Sequence, residues 1–240
     1  MNLIIDIGNS STKIAVYKNR KIKFSLRITD LSSKELESWF TGHKIRNTII
    51  SSVKELPAYI VDLLTLNNSY VHILTYRSNL PFLIDYETPE TLGTDRIAAI
   101  AGGCLYVKQG NFLVIDAGTA ITYDYLIDNR FTGGNISPGI DLRFRALNQF
   151  TDKLPLVKKS REYSSPGQNT SDAILAGVIN GVVYEINQYI RTFKKEQRNA
   201  KVIFTGGDSV FLKDRLAQKV KYMPDLVTDG LNYILEYNAK

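Results

Sequence analysis

Apolar and polar positions follow two rhythms along the chain, and the same succession of rhythms occurs twice. Residues 2–7 are almost wholly apolar, as a strand buried on both faces would be. Residues 13–18 and 21–28 alternate and are joined by Lys18-Asn19-Arg20, which predicts a three-stranded meander. Ser32 and Glu35 have the spacing of a capping box, opening a helix through Trp39-Phe40. A strand follows at Asn47–Val53, then a helix over about 58–66 and a strand over about 70–74. Residues 76–92, with Pro81 and Pro89, read as a loop, and a helix is expected from about Thr94 to Val107.

The pattern then restarts, with strands at 112–117, 120–127 and 130–134 and a helix from about Ile140 to Gln149 after Pro138-Gly139. Residues 151–171 are polar and without period, long for a connection, which suggests a mobile or partner-contacting segment. An amphipathic helix over about 171–195 leads to a buried strand, Lys201–Thr205, that ends in Gly206-Gly207-Asp208. Helices near 211–218 and 226–237 complete the chain.

The restart is visible in the residues themselves. Leu3-Ile4-Ile5-Asp6-Ile7-Gly8-Asn9-Ser10 is echoed by Phe112-Leu113-Val114-Ile115-Asp116-Ala117-Gly118-Thr119, and Asp6 and Asp116 lie 110 residues apart, as do Arg20 and Arg130. The reading is an α/β chain of two similar halves with mixed sheets, 1–108 and 109–240, whose two acidic turns face one cleft.

Composition narrows this picture mainly by exclusion. No apolar run approaches the roughly 18 residues of a membrane span, and Asp6 within the first apolar run argues against a secretory signal. The single cysteine, Cys104, excludes an intramolecular disulfide framework and fits a reducing cytoplasm. A net charge of +6 invites a nucleic-acid reading, but the basic residues are dispersed and carry no recognition element. The expectation is a basic surface that attracts small anions, with no nucleic acid and no membrane as partner.

Consecutive backbone N–H and hydroxyl groups after a strand-end glycine can cradle phosphate oxygens, and Asp6-Ile7-Gly8-Asn9-Ser10-Ser11-Thr12-Lys13 offers them with a cation at its end. Asp6 can hold Mg²⁺ through water. A plain tight turn explains either copy alone, but not two in register. In Gly93-Thr94-Asp95-Arg96 the bland reading has Thr94 cap the helix, Asp95 favour its positive end and Arg96 pair on the surface. The functional one puts Asp95 near a substrate hydroxyl and Arg96 on an anion, and spacing leaves the two even. Gly133–Gly139 and Thr205–Asp208 each fit either a ligand (an anion or ribose, and an adenine) or simple packing. His43 and His72 stand apart from every motif, so no His/Cys metal site is supported. Gly177 and Gly181 permit close approach of another helix, internal or from a second copy.

Taken in order, Asp6–Asn9, Gly93–Arg96, Asp116–Thr122, Gly133–Gly139, Asn169-Thr170, Thr205–Gly207 and Pro224–Leu231 resemble the type III pantothenate kinases of the acetate kinase–sugar kinase–Hsp70–actin superfamily. The resemblance covers nearly the whole chain. It implies two ribonuclease-H-like (actin-like ATPase) halves with an interdomain cleft, and ATP-dependent phosphorylation of pantothenate to 4′-phosphopantothenate, towards coenzyme A. It implies Asp95 as general base, Asp6 to Lys13 and Thr119 as ATP contacts, and Tyr86, Gly93, Thr94, Asp95, Arg96 and Thr170 as pantothenate contacts. Asp116 matches a ligand of a monovalent cation, K⁺ or NH₄⁺, and Mg²⁺ would accompany ATP. Thr170 would act across the interface of a homodimer. Ser10 stands where the family commonly has threonine, and Arg143 and Arg145 where it has smaller residues. Two rivals stay open: phosphorylation of another small alcohol, and a regulator without chemistry.

Overall fold

The protein was analysed as a computed structural model that describes residues 1–29, 37 and 44–239. The helix expected from Ser32 to Phe40 lies, apart from Glu37, outside those residues, as does His43.

The chain divides into two compact units, Met1–Gln109 with Asn129–Thr132 and Asp225–Lys240, and Gly110–Asp128 with Gly133–Pro224. In the first, β1 (Asn2–Ile7), β2 (Thr12–Lys18), β3 (Lys21–Ile28), β4 (Asn47–Ser52) and β5 (Tyr70–Ile73) form a sheet in the order β3-β2-β1-β4-β5. β1 pairs antiparallel to β2 and parallel to β4. β2 was expected to alternate; it buries Ile14, Ala15, Val16 and Tyr17 in succession, because it runs inside the sheet between β1 and β3. Leu3, Ile5, Ile14, Val16 and Ile50 pack with Ile60 and Leu64 of helix α1 (Ala58–Asn67) into one core.

The second unit repeats this order. β7 (Phe112–Ala117), β8 (Ala120–Ile127), β9 (Arg130–Pro138, of which Gly133 onward belongs to this unit), β10 (Lys201–Thr205) and β11 (Lys221–Tyr222) lie as β9-β8-β7-β10-β11, with β7 antiparallel to β8 and parallel to β10. β11, too short to leave a periodic signal, was not expected. The duplication is therefore structural, with mixed sheets in both units.

The register of 110 does not run through the whole hairpin. Asp6 faces Lys13 but Asp116 faces Thr122, so the second hairpin is one residue shorter at its acidic turn. The far turns are Asn19-Arg20 and Asp128-Asn129, with φ of 52° and 60° against 50° and 60°, the left-handed pair of a two-residue hairpin. Arg20 thus corresponds to Asn129, and the match with Arg130 is a coincidence of sequence.

The loop over 76–92 contains a short β6 (Leu83–Ile84) parallel to the start of β9 and a 3-10 turn at Pro89–Thr91. It leads into helix α2 (Thr94–Tyr106). Helices α3 (Ile140–Gln149) and α4 (Thr170–Glu196) belong to the second unit; Phe144 of α3 and Ile179, Val182, Ile186 and Ile190 of α4 share a core with β7 and β8. The helix expected near 211–218 is a four-residue α5 (Ser209–Leu212) and a 3-10 turn that stops where Leu216 turns extended.

Helix α6 (Leu226–Asn238) groups with the first unit rather than with the half whose sequence it follows. Glycine makes this possible. A Cβ on Gly230 would stand 1.9 Å from the Ala98 carbonyl oxygen of α2, and one on Gly102 would stand 2.3 Å from the Leu226 carbonyl oxygen. Tyr17 and Tyr106 then donate to the two oxygens of Asp229, at 2.7 and 2.6 Å.

Candidate active site

The parallel register of β1 and β4 sets Asp6 opposite Ser51 and Ile7 opposite Ser52, so an acid and a hydroxyl share the strand ends. Ser51 is fully buried and stands opposite Asp6 in that register. Its Oγ donates to Thr94 Oγ1 at 3.1 Å, and Thr94 donates to the Ser52 carbonyl at 3.1 Å. Thr94 is therefore no helix cap: Gly93 takes that position without a side-chain bond, and Thr94 is clipped to β4.

Beside it, Asp95 Oδ1 accepts from the Arg96 backbone N–H at 2.9 Å. A Cβ on Gly93 would lie 2.5 Å from that oxygen, so glycine leaves the carboxylate its room. Burial and the nearby Asp95 charge raise the Asp6 carboxyl to about 6, against the pull of Ser51, Lys13 and Arg27. Asp6 keeps a partly open surface, yet its carboxyl is enclosed enough for desolvation to dominate. Two acids thus share a site that favours one charge over two.

The first turn opens beside this pair. Gly8 N–H donates to the Ser11 carbonyl at 3.0 Å, leaving Asn9 and Ser10 exposed. Thr12 faces inward and is only 3% exposed, which withdraws it from the turn's open face. Lys13 Nζ lies 2.8 Å from Asp225 Oδ1, so its charge is partly matched by a carboxylate that the sequence did not connect to it.

Arg96 does not pair on the surface. It is 6% exposed, with its guanidinium 5.5 Å from the ring centre of Phe131 and 6.0 Å from that of Tyr86. These distances suit cation–π contact, and the two rings, 5.9 Å apart, make a wall that orients the head group.

In the second unit Asp116 ends β7, facing Thr122 on β8 and Thr205 on β10. Gly118 N–H donates to the Ala120 carbonyl at 2.9 Å and Thr119 is exposed. Gly206 has φ +97°, and a Cβ there would meet the Ala117 carbonyl oxygen at 2.3 Å and Asp116 Oδ1 at 2.4 Å. Gly206 therefore serves close packing on the acidic turn, whereas a Cβ on Gly207 would meet nothing within 4 Å. Lys159 bonds Asp208 and lies 3.6 Å from Asp141 Oδ2, which ties the 151–169 stretch to this corner. Tyr163, bonded to Asn180 and to Arg215, ties it again.

Gly133 to Pro138 continue β9, and Gly139, donating to the Thr119 carbonyl at 3.0 Å, starts α3. Arg143 acquires a role: its Nη2 lies 2.5 Å from Glu185 Oε2, while Ser137 and Tyr123 donate to Glu185 Oε1. Burial raises the Glu185 carboxyl, but these donors outweigh it and hold the group below the usual carboxylate range. Arg145 lines a hollow of about 350 Å³ with Phe144, Leu156, Lys158 and Lys159. Thr170 stands exposed at the first turn of α4, and Asn169 caps that helix by accepting from the Asp172 N–H at 2.9 Å.

The first unit thus gathers Asp6, Thr94, Asp95 and Lys13, and beside them Tyr86 and Arg96. Sequence reasoning missed Ser51, Phe131, Asp225 and Glu185. Only Ser51-Ser52 at the end of an apolar run carried a trace of signal. Among the described residues no group of three His, Cys, Asp or Glu side chains is placed to hold a metal ion. A divalent cation that arrives on a polyphosphate, needing one carboxylate and keeping its water, fits this donor set.

The family model of the type III pantothenate kinases matches residues 2–192. A type III pantothenate kinase of Cytophaga hutchinsonii is 37% identical over 241 residues, covering 100% of each chain. Among solved structures, a conserved Baf-family protein of Campylobacter jejuni, described as a transcriptional activator, is 26% identical with a TM-score of 0.62, covering 99% of this chain and 98% of its own. Component A of the (R)-2-hydroxyglutaryl-CoA dehydratase of Acidaminococcus fermentans has a TM-score of 0.54 at 14% identity, covering 99% and 96%, and shares the actin-like ATPase fold.

Proposed function

The chain belongs to the type III pantothenate kinases, which phosphorylate pantothenate with ATP in coenzyme A biosynthesis, and on that premise we propose that Asp95 is the base and Asp6 the phosphate-side acid of the transfer. The observation that supports this most directly is the pair itself, with Asp95 close enough to raise Asp6, Asp6 level with Ser51 in the β1–β4 register, and Thr94, next to Asp95, clipped to β4.

In the reaction the pantothenate hydroxyl oxygen forms a bond to the γ-phosphorus. The bond from that phosphorus to the β–γ bridging oxygen breaks, and ADP leaves with the electron pair. The hydroxyl proton passes to Asp95. Its Oδ1 is engaged by Arg96 N–H, so Oδ2 is the oxygen we assign to the substrate. A base at a helix start is weak, which suffices because a loose transition state needs the alcohol oriented more than deprotonated early. Asp6 would hold, through water, the Mg²⁺ that accompanies ATP, and that ion would supply positive charge against the phosphates.

The Gly8–Ser11 turn supplies phosphate donors, and Thr119 is a further ATP contact. Gly93, Thr94, Arg96 and Tyr86 shape the pantothenate end, where buried Arg96 faces the substrate carboxylate. Asp116 and the Ala117 carbonyl, packed together against Gly206, are oxygen ligands suited to K⁺ or NH₄⁺. We assign a homodimer in which Thr170 reaches the partner's substrate, acting in the cytoplasm. Room for the partner is left at Gly177 and Gly181, where an added Cβ meets nothing within 4 Å among the described residues, beside exposed Tyr184.

ADP release by purified protein with ATP, Mg²⁺ and pantothenate tests this reading. The expected result is pantothenate-dependent turnover that collapses when Na⁺ replaces K⁺. Asp95→Asn should fold normally and turn over at least about 100-fold more slowly. Turnover of that variant near the normal rate would remove Asp95 from its role. The likeness to the Campylobacter protein favours one alternative, a transcriptional regulator, which requires no ADP release and DNA binding that survives physiological salt.

A further inference from the structure

We propose that Ser51 is a positioning residue for phosphoryl transfer, its buried hydroxyl clipping Thr94 to the end of β4 so that the next residue, Asp95, is held in place for the substrate. This rests on the kinase reading above and assigns a task to a residue outside the two acidic turns and the Gly93–Arg96 loop.

Three features of β4 support it. Its last two residues lie opposite Asp6 and Ile7, so the end of β4 keeps level with the phosphate turn. Ser51 is 0% exposed, and its hydroxyl donates to Thr94 Oγ1 at 3.1 Å. Thr94 in turn donates to the Ser52 carbonyl, so two bonds from consecutive β4 residues clip the first residue of α2. The start of α2 has no side-chain cap of its own. The β4 clip is what fixes the entry of the helix, and Asp95 is the next residue.

Asp95 follows Thr94, so a clip that holds Thr94 to the end of β4 also sets where the Asp95 carboxylate stands beside β1. Displacing a base by as little as 1 Å can cost on the order of 100-fold in rate, without changing how well the substrates bind.

Replacement of Ser51 by Ala should lower kcat about 10- to 100-fold while the KM values for ATP and pantothenate stay within about threefold. Ser51→Thr, which keeps the hydroxyl, should retain kcat within about fivefold. Thr48→Val is the control: Thr48 is fully buried on the same strand and donates to Asn68 Oδ1 at 2.9 Å, away from the acids. It should lose thermal stability like Ser51→Ala yet keep its kcat. If Ser51→Ala does not fold, Ser51→Cys, with a weaker donor in similar space, is read by the same criterion.

A kcat within twofold of the unmodified enzyme for the Ala or Cys variant would overturn the inference. So would an equal loss in Thr48→Val or in Ser51→Thr, or a loss confined to KM. An unmodified protein without pantothenate-dependent ADP release fails the kinase reading itself and takes the inference with it, so the two failures are told apart by the first assay.

Discussion

Burial and the charge of Asp95 lift the Asp6 carboxyl from 3.8 to about 6, a displacement worth roughly 3 kcal/mol. Between those two values the folded protein holds a proton that the unfolded chain has released. Stability from this group therefore falls as pH rises from about 4 to 6, and the cost is complete above about 6. Asp6→Asn removes the cost, so at pH 8 it should raise the thermal midpoint by about 5 °C while abolishing most turnover. The gain should vanish at pH 4, where the native carboxyl is already protonated. Calorimetry at both pH values checks the sign, and a lower midpoint for the variant at pH 8 would mean that Lys13 and Arg27 outweigh burial. Asp6 and Asp95 were legible as acids at a strand end and a helix start. Ser51 was not, because serine after an apolar run is what any strand end can carry.

Between elements, the decisive contact is the crossing of α2 and α6. With the Ala98 carbonyl 1.9 Å from a Cβ on Gly230, Gly230→Ala forces the helices apart and should cost about 3 kcal/mol or more. Urea titration measures this, and a loss below about 1 kcal/mol would show that the pair separates easily. The consequence reaches the site through Asp225, which stands just before α6 and holds Lys13. Periodicity located both helices to within a residue or two, but it could not show which faces meet. In the second unit the Arg143–Glu185 pair, with Ser137 and Tyr123, ties α3, α4, β8 and β9 together. Arg143, unexplained in the sequence, is a structural residue.

At the scale of the whole molecule, the open glycine face of α4 is where the assembly is tested. The sequence allowed Gly177 and Gly181 to meet either another helix of the same chain or a second copy. Among the described residues, and apart from the helix's own backbone, no atom comes within 4 Å of an added Cβ at either position, which leaves this face open to a second copy. Gly181→Arg should therefore leave the protomer folded, convert the proposed dimer to a monomer in sedimentation, and lower pantothenate turnover at least about tenfold through loss of the proposed Thr170 contact from the partner. A variant that still sediments as a dimer would move the interface elsewhere.

Most of the strands, the two acidic turns and the helix that opens at Thr94 were written in the sequence, because they depend on local periods and on which residues can turn a chain. Three matters waited for tertiary structure. The one-residue shortening of the second hairpin emerges only from pairing, since register is set between strands and not along one. The return of α6 to the first unit is set by what two glycines allow to approach. The burial of Arg96 against two aromatic rings, and the bond from buried Ser51 to Thr94, depend on contacts between distant parts of the chain, which no window of sequence contains.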